Sequence, residues 1–139
     1  MELRLALRSI DKYAKNAGNI WIYTEADLND FQNINVVKMA DKVKDNKDAN
    51  LIIKIKAAAE NPDVSDKFMF WSDDQVLMDT LDLEQAPVVY NMRNIKALLN
   101  QPMTKWRKRL LNTMNYVEKQ TGNKMRYNYD SHTPQPYTK

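Results

Sequence analysis

The sequence predicts an α/β domain with a mainly parallel central sheet flanked by helices, on three observations. Short β-branched and aromatic runs alternate with longer stretches of helical periodicity, in the order helix, strand, strand, helix, strand, strand, helix. At 139 residues the chain is long enough to build one ordinary core. Apolar residues make up 43% and charged residues 28%, which separates it from disordered sequences. No repeat, low-complexity tract or interdomain linker interrupts it, so a single domain over 1–139 is expected, with an irregular tail at 127–139.

Each element has its own signal. Residues 2–16 place Leu3, Leu7, Ile10 and Ala14 three and four apart, with Arg4, Arg8, Lys12 and Lys15 off that stripe, which predicts an amphipathic helix ended by Gly18. NIWIYT (19–24) reads as a buried strand, EADLNDFQN as a polar connection and INVVKM (34–39) as a second strand. The charged run DKVKDNKDAN (41–50) reads as a solvated loop or helix start. It leads into a helix with Leu51, Ile52, Ile55, Ala58 and Ala59 on one face, stopped by Pro62. Residues 67–71 form a third strand, PVVYN (87–91) a further extended piece and 92–100 a helix. From Met103 to Gln120 a long helix turns Met103, Trp106, Leu110, Met114 and Val117 inward and closes near Gly122. Two prolines make YNYDSHTPQPYTK (127–139) read as irregular.

Charge and composition narrow the function classes only slightly. A net charge of +3 favours phosphorylated ligands over cationic ones without demanding a polyanion. The absence of cysteine excludes a disulfide frame and a thiolate metal site. No apolar run approaches the ~20 residues of a membrane span, and no signal-peptide core is visible, so the expected location is cytoplasmic.

The stretch FMFWSDDQVLM (68–78) carries the chemistry. Asp73 and Asp74 follow directly on a strand, at the carboxyl edge where α/β sheets gather their ligands. Adjacent carboxylates need an opposing charge, which a basic side chain, helix N-terminal amides or a divalent metal could supply. An Asx turn or helix cap is the purely structural reading, since Ser72, Asp73 and Asp74 all suit one. A hard cation such as Mn²⁺ or Mg²⁺, shared between carboxylates and a substrate diphosphate, is the functional reading.

Three segments taken together carry a resemblance. ELRLALRSIDKYAKNAGNIWIYT (2–24), KFMFWSDDQVLM (67–78) and YDSHTPQPYTK (129–139) resemble, in that order, segments of the stealth family of capsular polysaccharide sugar-phosphate transferases and their bacterial and phage relatives. The family is similar to glycosyltransferases of the A-type nucleotide-sugar fold. The resemblance therefore implies a nucleotide-diphospho-sugar-transferase-like sheet and a metal-dependent transfer from a nucleotide sugar donor to a saccharide acceptor. It implies that Asp73 and Asp74 hold Mn²⁺ or Mg²⁺, or that Asp74 instead acts at the acceptor. His132, in the late His-Thr-Pro segment, would be a metal ligand or proton carrier. Arg8, with Arg4 one turn earlier, and Lys54 would face donor phosphate. In the relatives an aspartate-bearing strand precedes the arginine helix, whereas this sequence opens on that helix. A form lacking the first strand, truncated or inactive, is thus part of the expectation.

The competing reading belongs to another class. In TKWRKRLLN (104–112), Lys105, Arg107, Lys108 and Arg109 surround Trp106, a combination that can bind phosphate and stack a base. Because Trp106 opens the apolar series of its helix, it is expected to pack inward. A nucleic-acid partner is accordingly not expected.

Overall fold

A computed structural model describes residues 2–87, 91–130 and 133–139. The described residues form a mixed α/β structure with four two-stranded pairs, two parallel and two antiparallel, and with helices between them. The chain divides into two compact units, Met1–Val88 with Pro134–Lys139, and Val89–Thr133.

In the first unit α1 spans Glu2–Tyr13 and buries Ala6, Ser9 and Ile10. It ends before the expected residue 16 because Ala14–Lys15 form β1, paired in parallel with β5 (Leu81–Asp82). Asn16 then turns the chain in the left-handed region at φ 59°, which asparagine tolerates, and its side-chain amide donates to Asp82 Oδ1 at 3.0 Å. β2 (Trp21–Thr24) and β3 (Asn35–Lys38) pair in parallel, with Trp21 opposite Asn35 and Thr24 opposite Lys38.

The charged run before α2 (Lys47–Glu60) builds that helix's start. Asn46 caps it by accepting from the Ala49 N–H at 3.2 Å. Asn50, buried, accepts from the Val43 N–H and donates to the Val43 carbonyl, both at 2.8 Å. Two apolar residues expected on the inner face are outside it: Leu51 is 41% and Ile52 66% exposed, while Ile55, Ala58 and Ala59 are half-buried.

β4 (Lys67–Phe70) pairs antiparallel with β8 (Gln135–Thr138), Phe70 opposite Gln135 and Phe68 opposite Tyr137. Phe68 and Phe70 lie two residues apart on one face of β4, and Tyr137 serves both. Its ring stacks on Phe68 at 5.7 Å and meets Phe70 edge-on at 6.4 Å. The Lys139 ammonium donates to the Asn61 and Val64 carbonyls. These aromatic and terminal contacts order a segment whose prolines read as irregular; Pro136 is accommodated because β8 pairs on one side only.

In the second unit β6 (Asn91–Asn94) pairs antiparallel with β7 (Tyr127–Asp130), the other strand drawn from the segment expected to be irregular. α3 (Ile95–Leu99) starts on the Asn94 cap, and Ile95, 1% exposed, donates its N–H to the Arg126 carbonyl at 3.1 Å. α4 spans Lys105–Thr121, between a Thr104 cap that accepts from the Arg107 N–H and Gly122 at φ 71°. Leu110 is buried, and Arg107, Leu111, Met114 and Val117 complete the inner face at helical spacing.

Trp106 departs from expectation. It is 41% exposed, as Met103 is 56% exposed, because Arg107 occupies the inward position of the first turn. The Arg107 guanidinium donates there to the Pro102 carbonyl and Gln101 Oε1. No described helix is long and apolar enough to cross a membrane.

Candidate functional site

At the end of β4 the chain makes a four-residue turn. The Gln75 N–H donates to the Ser72 carbonyl at 3.1 Å, and the Ser72 N–H donates to Gln75 Oε1 at 3.0 Å. Trp71 Nε1 adds a bond to the Gln75 carbonyl at 2.9 Å. Asp73 and Asp74 occupy the two central positions and are exposed. Bonds from Ser72, Gln75 and Trp71 close the turn, and the aspartates are its central residues, a place that suits Asp on structural grounds alone. No ion pair joins either carboxylate to a described residue.

Both carboxylates face solvent, where water hydrates them without a protein cation. Among the described residues no group of three or more acidic or histidine side chains converges, so a closed protein cage is not formed. Mg²⁺ and Mn²⁺ retain several waters and take one or two carboxylates plus substrate phosphates, which is the donor set Asp73 and Asp74 offer.

The turn is fixed to the arginine helix. Buried Ser9 of α1 donates its hydroxyl to the Ala6 carbonyl at 2.7 Å and accepts from the Leu77 N–H at 2.9 Å. Leu77 lies three residues beyond Asp74, and Ser9 adjoins Arg8. By chain reach alone, the Arg8 and Asp74 backbones lie within about 20 Å of one another. Arg4 and Arg8 are exposed, one turn apart, and no ion pair joins them to a described residue.

Arg4 also borders a hollow. Its guanidinium lies over the Phe31 ring at 5.3 Å, and Phe31 lines an open cavity of about 300 Å³ with Asp27, Leu28, Asn29, Ile34 and Lys38. Val36 lines it as well, so the hollow runs along β3 from Ile34, just before the strand, to Lys38 at its end, beneath the connection that follows β2.

The remaining candidates fare differently. Lys54 is partly buried and bonded to Asp41 at 2.8 Å, so its charge is met within the fold. His132 lies outside the described residues. Sequence reading passed over Gln75, which closes the turn around the acids, and Ser9, which bonds the backbone of Leu77 just beyond it. The available signal for Ser9 was a polar side chain on the apolar stripe between Ala6 and Ile10.

No family model, no curated protein and no solved structure matches this chain.

Proposed function

We propose that this chain is a metal-dependent glycosyltransferase or sugar-phosphate transferase of the stealth-like kind, built on a nucleotide-diphospho-sugar-transferase-like fold and acting on a nucleotide-activated sugar. The observation that carries the reading is the Ser9–Leu77 hydrogen bond, which ties the helix bearing Arg4 and Arg8 to the loop bearing Asp73 and Asp74. Two guanidinium groups and two carboxylates linked in this way suit opposite ends of one charge distribution: phosphate oxygens at the arginines, a divalent cation at the acids.

In this reading Asp73 and Asp74 hold Mn²⁺ or Mg²⁺, and Asp74 has a second lone-pair direction to orient an acceptor hydroxyl. The cation, when bound, offsets charge developing on the leaving diphosphate or transferred phosphoryl group. Arg8 and Arg4 grip the donor phosphates bidentately, and the hollow beside Arg4 has room for part of the donor. Transfer of this kind relies on positioning and charge compensation, which these side chains supply in kind.

Thermal unfolding with Mn²⁺ and a panel of nucleotide sugars tests the proposal. Metal at 10 to 100 times its Kd stabilises a one-site protein by about 1–3 kcal/mol. That stabilisation is expected to grow with one nucleotide sugar and to vanish in the Asp73→Asn, Asp74→Asn variant. A response to metal and nucleotide that persists in the variant would overturn the assignment.

A further inference from the structure

The outward side of α4 has one chemical character. Lys105, Arg109, Asn112 and Tyr116 recur at i, i+4, i+7 and i+11, all exposed, and form a stripe roughly 16 Å long opposite the buried Leu110 face. Lys108 and Lys119, both exposed, flank the stripe on one side, and Trp106, 41% exposed, flanks it on the other. Tyr116, 66% exposed, is the most open aromatic ring of this helix. The helix has a single acidic residue, Glu118, which lies near the inner face and bonds to Lys124 at 3.7 Å. Cations and flat rings thus share a face to which the helix itself contributes no carboxylate.

The sequence of the whole second unit supports the same bias. Residues 89–133 hold nine Lys or Arg against two Asp or Glu. Like charges this dense repel one another unless an anion is shared among them.

We propose that the outward face of α4 is a binding surface for single-stranded nucleic acid, separate from the acid turn of the first unit. Lys105, Lys108, Arg109 and Lys119 contact successive phosphates, and Tyr116 and Trp106 stack bases. Charge selects a polyanion, and the two exposed rings select among polyanions. A base presents a π-face to an aromatic side chain once its strand is unpaired, whereas a duplex keeps its bases stacked and a lipid headgroup has none.

Fluorescence anisotropy of a labelled 20-mer of deoxythymidine with the full chain tests this. Binding is expected at 50 mM salt, with log K falling linearly against log salt by about 0.7 per engaged cation. Lys105→Ala with Lys108→Ala should reduce that slope by about 1.4. Tyr116→Ala, at an exposed position that leaves the core intact, should weaken binding roughly tenfold with the slope unchanged, and Tyr116→Phe should restore it. Trp106→Ala provides a second, independent ring removal. The Asp73→Asn, Asp74→Asn variant should bind the oligonucleotide as the unaltered chain does. Three outcomes would each overturn the proposal: no binding at 50 mM salt, equal binding in the ring variants, or tighter binding to phosphatidylserine vesicles or to duplex than to the single strand.

Discussion

The two units differ most in charge. Residues 1–88 with 134–139 contain twelve Lys or Arg and sixteen Asp or Glu, whereas residues 89–133 contain nine and two. The whole-chain value of +3 is therefore the remainder of an acidic unit and a strongly basic one. Their chemistry divides in the same way, with carboxylates at a strand-end turn in the first and cations with open rings along a helix in the second. A net charge read over a whole chain understates the potential at any one surface, because binding responds to charges within about a Debye length, ~8–10 Å.

Packing differs as well. The first unit rests on Ala6, Ile10 and Val64, joined by the buried polar residues Ser9 and Asn50. In the second, Ile95 and Leu110 are the buried apolar pair among the described residues. The largest expected effect on the contrast comes from Ile95→Ala. Truncating so enclosed a side chain should cost about 3 kcal/mol, read as faster amide exchange through α4, with β2 and β3 protected as before. Loss of protection in both units together would show that they do not open separately.

Ser9→Ala probes the first unit. The Leu77 N–H would lose its acceptor, at about 1–2 kcal/mol in urea unfolding, and the stabilisation by Mn²⁺ should weaken although both aspartates remain. An unaltered metal response would sever the helix from the acid turn as a functional pair. The smallest change is Gly122→Ala at the end of α4. An added Cβ meets nothing within 4 Å there, so the cost is conformational alone, about 1 kcal/mol for a left-handed residue. Oligonucleotide affinity should change little, since of the residues proposed to contact the strand only Lys119 lies within a turn of this cap.

Legibility in the sequence varied with how local the cause was. α4 and its Gly122 stop were readable because helical spacing and a left-handed cap are properties of a few consecutive residues. β2 and β3 were readable as strands, but no signal in the polar connection between them announced that they pair with each other in parallel. β1 and β5, two residues each, carry too little pattern to be seen before they pair. β7 and β8 were hidden by Pro134 and Pro136, since nothing local announces that Tyr137 has two phenylalanine rings to pack against. Trp106 misled for a related reason: spacing placed it on the apolar stripe, while Arg107 holds the inward position by bonds to residues before the helix.

The acid pair shows the same division. The sequence by itself determined that two carboxylates leave the end of a hydrophobic strand and that two arginines lie one turn apart on a helix, because strand ends and helical periodicity are short-range facts. It also determined the charge of each segment. Only the tertiary structure decided that Ser72, Gln75 and Trp71 close the turn around the acids, that Ser9 ties the loop to the arginine helix, and that Trp106 stays open to solvent. Those outcomes depend on hydrogen bonds and packing between residues as far apart as Ser9 and Leu77, whose partners are chosen by competition across the whole fold and not by the residues beside them.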